Sequence, residues 1–496
     1  MKADIFLGID MGSTGLKAVA FEAGTGATLA ASGSAMPYRH LPGGGCELRA
    51  DAIDAALMQA LRGVAEQLGP RAAQLRALCC TGHGAGLYAL DERGGLLAER
   101  AVASTDQRAA GRARRLAQQY GDALYQEVGC RPWAGQPSLV AAELFGAEGG
   151  GQQVIRRLLF AKDYLGFLLS GEIATDASDA STAGLLSLEA GTWSGLAFEA
   201  AGLAALMPGA LPPIVPTGTV IGHLLPARAA ACGLPAGLPI AMGAIDLLAS
   251  LSAVGAVKSG HAVAVFGTWC VNAVVAPEHE PKPEVGAIVR YGPAASRLYL
   301  ENSPSSMANV AWLARTLQFD DAAAAVDGAM SVPLGAEGLR FLPFINGGGV
   351  AAGAAAGFIG LKGHHGRAHM ARAVIDGVAA LHAWHLKRLA ARGLGVPGRV
   401  AALGGGARDP RLVRLLADFM GHPVERCGDD ETGARGAAGY AAMSQGACAD
   451  EVLPVRCVAE APDAATLQAH AAFYSEFEML IGNMAPVFGQ MAGRAP

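Results

Sequence analysis

Two stretches of this chain, one at its start and one near its middle, follow the same plan of apolar strand, short polar turn and apolar return strand. Ile5-Phe6-Leu7-Gly8-Ile9 runs into Asp10, Gly12-Ser13-Thr14-Gly15 turns, and Leu16 to Phe21 returns. Past the middle, Leu238-Pro239-Ile240-Ala241-Met242-Gly243 precedes Asp246, and Leu247-Leu248 opens a helix. After Gly260, Ala262 to Phe266 forms a strand, Gly267-Thr268 turns, and Val271 to Val275 returns. The repetition is one of pattern rather than of residues, and its place at the start of each half predicts two domains of related design. The expected boundaries are 1–245 for the first domain and 246–455 for the second, with 456–496 as a peripheral helix and tail.

A chain of 496 residues is too long for one compact core and comfortable for two domains. Hydrophobic residues reach 52% and charged residues only 16%, which is the composition of an ordered, core-rich protein. Lys and Arg number 38 against 43 Asp and Glu, so nothing suggests a nucleic-acid or anionic-membrane surface. The nine cysteines are scattered and form no paired CxxC pattern, which fits unpaired thiols in a reducing, cytoplasmic setting. The N-terminus enters a strand at once and lacks a signal-peptide pattern. The weakly charged stretch from Leu238 to Val257 is interrupted by Asp246 and reads as a buried strand, turn and helix rather than a membrane span.

Apolar residues at Ile53, Leu57, Leu61 and Val64 predict an amphipathic helix over Asp51 to Leu68. Strands are expected at Arg76 to Thr81 and Leu87 to Leu90, then a polar helix capped by Thr105 or Asp106 and running to about Tyr120. The second half adds helices near Met307 to Leu317, Arg372 to Leu389 and Pro410 to Met420, and a strand at Ala401-Ala402-Leu403.

Asp10 places a carboxylate at a strand end beside the flexible, hydroxyl-bearing turn Gly12-Ser13-Thr14-Gly15. Glycine lets backbone N–H groups converge on a phosphate, and a carboxylate can organise a hydrated Mg²⁺. An ordinary β-turn is an equal reading of these residues alone. The turn is neither GxGxxG nor GxxxxGK[ST], so Rossmann and P-loop classes lose their main support. Asp246 stands among Ala244, Ile245, Leu247 and Leu248, where a carboxylate needs a reason. It is either a helix cap or a general base that accepts the proton of an attacking hydroxyl. Gly404-Gly405-Gly406 before a helix is either a plain turn or a place where adenosine lies against the backbone. His364, His365 and His369 read as a solvated loop, and Trp133 reads equally as a ligand-stacking or a packing residue.

In order and spacing these segments resemble the FGGY carbohydrate kinases of the actin-like ATPase superfamily, over roughly residues 3 to 445. Asp10 to Lys17 resembles the first phosphate motif, Gly243-Ala244-Ile245-Asp246 the segment of the catalytic aspartate, and Phe266-Gly267-Thr268 the second phosphate motif. Gly404-Gly405-Gly406-Ala407 resembles the adenosine motif, and Glu431 to Ala438 the closing signature. Gly82-His83-Gly84-Ala85 occupies the place of a substrate motif. Its small residues depart from the Arg-Glu of the glycerol-kinase type. Ser104 to Arg108, Trp133 to Pro137 and Lys162-Asp163-Tyr164-Leu165 look most like the pentulose branch, notably L-xylulose kinases.

The resemblance implies an α/β fold of two ribonuclease H-like (actin-like ATPase) domains with an interdomain catalytic cleft. The first domain would mainly bind sugar and the second mainly ATP. It implies Asp246 as catalytic residue and His83, Asp106, Trp133 and Asp246 as substrate contacts. Gly12, Ser13, Thr14, Lys17, Gly267, Thr268, Gly405, Gly406 and Ala407 would hold ATP, with Asp10 and Asp246 toward Mg²⁺. Trp269 and Cys270 depart from the small hydroxyl residue usual after Thr268. The expected reaction is ATP-dependent phosphorylation of a pentulose such as L-xylulose or D-xylulose, by a possible homodimer with no nucleic-acid or membrane partner. Kinases of erythritol or another polyol, and a catalytically silent nucleotide-binding regulator, are the competing readings.

Overall fold

A computed structural model describes residues 4–12, 14–146, 154–207, 209–278, 284–292, 296–349, 353–427 and 431–492. In chain order, the elements that position the site begin with β1 (Ile5–Met11), β2 (Gly15–Glu22), β3 (Thr28–Ala35), α1 (Ala50–Leu68), β4 (Leu75–Gly82) and α2 (Ala110–Val128). Next come α3 (Ala161–Ser170), α4 (Ala177–Thr182), β5 (Val220–His223), β6 (Pro239–Ala241) and α5 (Asp246–Ala253). The strands β7 (His261–Phe266), β8 (Cys270–Ala276) and β9 (Ser296–Ser303) lead into α6 (Met307–Thr316) and α7 (Arg367–Leu389). The chain closes with β10 (Arg399–Leu403), α8 (Pro410–Met420), β11 (Val424–Cys427), α9 (Thr432–Met443), β12 (Cys457–Glu460) and α10 (Leu467–Ala492).

The chain forms two compact units. The first comprises Met1–Val257, Ala287–Arg297 and Glu431–Val455, and the second Lys258–Gly286, Leu298–Asp430 and Arg456–Pro496. In the first, the sheet order is β5-β6-β4-β1-β2-β3. β1 is antiparallel to β2 and parallel to β4, β4 is parallel to β6, and β6 is antiparallel to β5. β1 is apolar and buried almost throughout because both faces of the sheet are covered. The stripe Ile53, Leu57, Leu61 and Val64 of α1 joins Ile5, Leu7, Ile9 and Leu78 in the core. Gln67 at the end of α1 grips β3, accepting from Ala31 N at 3.1 Å and donating to Ala31 O at 2.8 Å.

In the second unit the order is β9-β8-β7-β10-β11-β12. β7 is antiparallel to β8 and parallel to β10, β10 is parallel to β11, and β11 is antiparallel to β12. That is the strand-direction pattern of β2-β1-β4-β6-β5, so the repeat legible in sequence is a repeat of topology. α8 starts where Asp409 caps it, accepting from Arg411 N, with Pro410 in the first turn, and it stops at Gly421, whose φ is 63°.

Several details differ from the sequence reading. Residues 246–257 and 431–455 belong to the first compact unit, although the expected boundary near 245 put them in the second. Glycines explain the return of α9: a Cβ at Gly8 of β1 would lie 1.7 Å from Ala434 O, and one at Gly436 would lie 1.8 Å from Ala249 O. α2 begins at Ala110, beyond Thr105 and Asp106, because the Asp106 carboxylate is taken up elsewhere. The tail carries a strand, β12, besides its helix. Cys427 and Cys457 stand opposite each other in β11 and β12 and are disulfide-bonded, against the expectation of unpaired thiols. Spacing along the chain did not reveal that cross-strand register. Among the described residues no helix is long and apolar enough to cross a membrane, and the 238–257 stretch holds β6 and α5.

Candidate active site

In the first unit, Asp10 sits near the end of β1, opposite Lys17 of β2. Its Oδ1 is buried and has no hydrogen-bond partner among the described residues. Burial, then the negative charges of Asp246 and Glu431, raise its pKa to about 7 against the opposing pull of Lys17. The lack of a side chain at Gly433 makes room for this carboxylate, since a Cβ there would lie 2.2 Å from Asp10 Oδ2. Gly12 N donates to Gly15 O at 2.9 Å, closing the turn, and Thr14 is exposed on it. Lys17 Nζ pairs with Glu431 Oε1 at 2.7 Å. Ser13 lies outside the described residues.

Asp246 is the first residue of α5, following the cap position held by Ile245. Its Oδ1 accepts from Leu247 N at 2.7 Å. Burial raises its pKa to about 6, with the Leu247 N–H pulling the other way. The tight approach of its segment to β4 is written in Gly243, where a Cβ would lie 2.0 Å from Cys80 O. Thr81 Oγ1 donates to Ala244 O at 2.6 Å, and Gly82 bridges Ile245. The strand end that leads into His83 and the segment that leads into Asp246 are therefore neighbours.

His83 follows β4, and its Nε2 lies 3.1 Å from the Tyr38 hydroxyl and 3.4 Å from that of Tyr88. Burial lowers its pKa to about 4, so the imidazole is neutral at physiological pH. Asp106 has no exposed surface. Its Oδ2 accepts from Cys46 N at 2.8 Å and from Arg108 Nη2 at 2.7 Å, and its Oδ1 accepts from Arg108 N at 2.9 Å. Arg108 also pairs with Glu47 at 2.7 Å. Trp133 is half-buried, and its loop lies against the Asp106 segment, since a Cβ at Gly135 would meet Ser104 O at 1.8 Å. Tyr38, Glu47 and Arg108 were assigned no role from sequence. Tyr38 carries no local motif and reaches His83 only through the fold.

In the second unit, the Phe266-Gly267-Thr268 turn joins β7 to β8. It is fastened by Met307 N donating to Gly267 O at 3.0 Å and Ser306 N donating to Thr268 O at 2.9 Å. Thr268 and Trp269 are exposed. Gly404, at φ 85°, and Gly406 both pack on Phe266, and a Cβ at Gly406 would also lie 2.7 Å from Met307 Sδ. Gly405 is exposed, with nothing within 4 Å of the position of a Cβ, while Ala407 is buried. The three glycines thus divide into two that allow packing and one that leaves open space.

A paired set of α/β domains with matching strand directions and a polar turn after the first strand of each defines a sugar-kinase fold of the actin-like ATPase kind. Residues 5–255 match the N-terminal domain of the FGGY family of carbohydrate kinases and residues 262–445 its C-terminal domain, and the chain belongs to that family. It is 29% identical over 439 residues to the L-xylulose/3-keto-L-gulonate kinase of Escherichia coli (strain K12), covering 86% of each chain. It is 29% identical over 316 residues to the xylulose kinase of the same organism, covering 62% of this chain and 64% of that one. The crystal structure of xylulose kinase from Rhodospirillum rubrum matches with a TM-score of 0.85 and 26% identity, over 98% of this chain and 99% of that one.

FGGY kinases use ATP and Mg²⁺. The first unit fits a hydrated Mg²⁺: Asp10 offers a hard oxygen donor that is buried and unpartnered, and a second carboxylate, Asp246, is close enough to raise its pKa.

Proposed function

We propose that this enzyme transfers the γ-phosphoryl group of Mg·ATP to a hydroxyl of a pentulose, with L-xylulose or D-xylulose as the preferred acceptor. The observation that carries the reading is Asp246: a half-buried carboxylate, held by one N–H at Oδ1, with its pKa raised to about 6. A sugar alcohol attacks phosphorus poorly until its proton has an acceptor. A carboxylate with this pKa is ionised at neutral pH, yet is a stronger base than an ordinary aspartate. Asp246 orients the acceptor hydroxyl and takes its proton as the new oxygen–phosphorus bond forms.

His83, Asp106, Trp133 and Asp246 receive the sugar in this reading, mainly through the N-terminal half of the chain. The neutral His83 ring, tied to two tyrosines, presents a fixed polar edge to one hydroxyl. Asp106 contributes by fixing Arg108 beside Glu47 as well as by its own carboxylate. Gly12, Ser13, Thr14, Lys17, Gly267, Thr268, Gly405, Gly406 and Ala407 receive ATP, mainly through the C-terminal half. Asp10, with Asp246, holds the Mg²⁺, which when bound offsets negative charge on the phosphates. The names of the E. coli and Rhodospirillum rubrum relatives support a pentulose over erythritol or another polyol.

The test is a Mg·ATP assay across L-xylulose, D-xylulose, ribulose and erythritol that measures ADP and sugar phosphate together. Stoichiometric pentulose phosphate supports the reading. ADP release without any phosphorylated pentulose overturns it.

A further inference from the structure

Beneath the His83 turn and the Asp246 segment lies a charged cluster that the reaction as derived does not use. Lys162 of α3 is 2% exposed, and its Nζ lies 2.5 Å from Asp163 Oδ1, 3.0 Å from Asp176 Oδ1 and 3.5 Å from Asp179 Oδ2. All three carboxylates are buried. One ammonium therefore faces three acids in a dry site, and burial pushes the Asp163 and Asp179 carboxyls up while their charges hold the lysine protonated. An excess of buried negative charge is a poor source of stability, because desolvation offsets most of the attraction. The geometry around the cluster gives it another use.

Asp176 caps α4, accepting from Ser178 N at 2.8 Å and Asp179 N at 3.3 Å. The capped helix then presents two groups upward. Asp179 Oδ1 accepts from Ala85 N at 3.2 Å, and Ser178 Oγ accepts from Ile245 N at 3.1 Å. Ala85 has φ 63°, a left-handed conformation that a residue with a Cβ adopts only when held. The same helix closes on the turn sterically, since a Cβ at Gly84 would lie 2.8 Å from Thr182 Cγ2 and 3.2 Å from Ile245 Cγ2. One short helix, fixed at its base by Lys162, thus grips the residue two after His83 and the residue before Asp246.

We propose that the Lys162–Asp176–Asp179 cluster, with Ser178, is a positioning device for phosphoryl transfer, setting the distance between His83 and Asp246 without touching sugar or nucleotide. The proposal rests on His83 and Asp246 receiving the acceptor sugar. Displacing either partner relative to the other by about 1 Å is enough to cost on the order of a hundredfold in rate. Nucleotide binding, assigned to other segments, is left intact.

The experiment compares Asp179→Ala, which removes the acceptor for Ala85 N, with Asp179→Asn, which keeps an acceptor oxygen and removes only charge. Ser178→Ala and Lys162→Met accompany them, and the Asp179 pair decides the matter if Lys162→Met does not fold. For each folded variant, sugar kcat/KM, the preference between epimeric pentuloses and calorimetric ATP affinity are measured. Asp179→Ala is expected to lower sugar kcat/KM by about ten- to a hundredfold and to narrow the epimer preference, with ATP affinity within about twofold. Asp179→Asn is expected to recover most of both losses. A wild-type Asp179→Ala, or equal damage in Ala and Asn variants with a parallel loss of ATP affinity, overturns the proposal. Asp246→Asn run alongside separates the causes: inactivity there with a wild-type Asp179→Ala rejects the positioning role alone, whereas full activity there rejects the site reading and the proposal with it.

Discussion

Gly433→Ala tests whether the placement of Asp10 matters for phosphoryl transfer. Gly433 is the second residue of α9, where alanine is intrinsically favoured over glycine by roughly 1 kcal/mol. The added methyl, however, would lie 2.2 Å from Asp10 Oδ2 and 2.8 Å from its Cγ. Ordinary carbon–oxygen contact begins above about 3 Å, so the carboxylate must swing aside by about 1 Å, a displacement worth on the order of a hundredfold in rate when a reacting constellation is disturbed. The obstructed group is the end of a side chain rather than backbone, so the fold can yield locally. The expected variant melts within a few degrees of wild type, binds sugar normally, and loses about a hundredfold in turnover with a raised Mg²⁺ requirement. Melting curves, sugar calorimetry and turnover over a Mg²⁺ series measure this. A folded Gly433→Ala enzyme with wild-type turnover and Mg²⁺ dependence would show that the position of the Asp10 carboxylate does not govern transfer.

The two other glycine substitutions separate packing from ligand approach. Gly406→Val should destabilise the protein by overlapping Met307 and Phe266, while Gly405→Val should fold normally and weaken ATP binding alone, read by melting and nucleotide calorimetry. Asp106→Ala leaves the Arg108 guanidinium without its bidentate partner, so it should raise the sugar KM or lower turnover without comparable loss of ATP affinity, an outcome steady-state kinetics checks. Asp10 and Asp246 have pKa values of about 7 and about 6, above the 3.8 of an ordinary aspartate, so the folded, ligand-free protein binds protons more tightly than the unfolded chain. Their contribution to stability is complete below about pH 4 and is lost as pH rises through about 6 and 7, so ligand-free melting temperature should fall over that window, and Asp10→Asn should flatten the fall.

The architecture was legible where a local pattern carries it. The paired strand–turn–strand units appear as β1–β2 and β7–β8, and the Asp51 to Leu68 stripe appears as α1. Illegible were the features that depend on register and long-range packing. The Cys427–Cys457 bond needs β11 and β12 aligned, and the packing of α9 on β1 and on α5 rests on Gly8 and Gly436 respectively, which look like any other glycines in a chain that has 68. At the site, Asp10 and Asp246 stood out as carboxylates set against apolar runs, whereas His83 entered only through the family resemblance. Tyr38 did not stand out, and Lys162-Asp163 drew notice only as part of a family-like segment, because the contacts of both lie with partners far away in sequence. A faint signal for the latter was available: Lys162-Asp163 interrupts an otherwise apolar run from Leu158 to Leu169, where a charge pair calls for buried partners.

If Asp246 takes the proton of the acceptor hydroxyl, Asp246→Asn removes that step and leaves the rest of the site in place. Asparagine keeps the size of the side chain and an acceptor oxygen for Leu247 N, so the start of α5 is preserved while the base is removed. Calorimetry establishes that the variant still binds sugar and Mg·ATP, and single-turnover phosphoryl transfer then isolates the chemical step. The expected variant is a folded, ligand-binding protein whose transfer rate is lower by roughly 10²–10⁴-fold. Near-wild-type transfer by that protein contradicts proton acceptance and returns Asp246 to the role of a residue that steadies the first turn of α5.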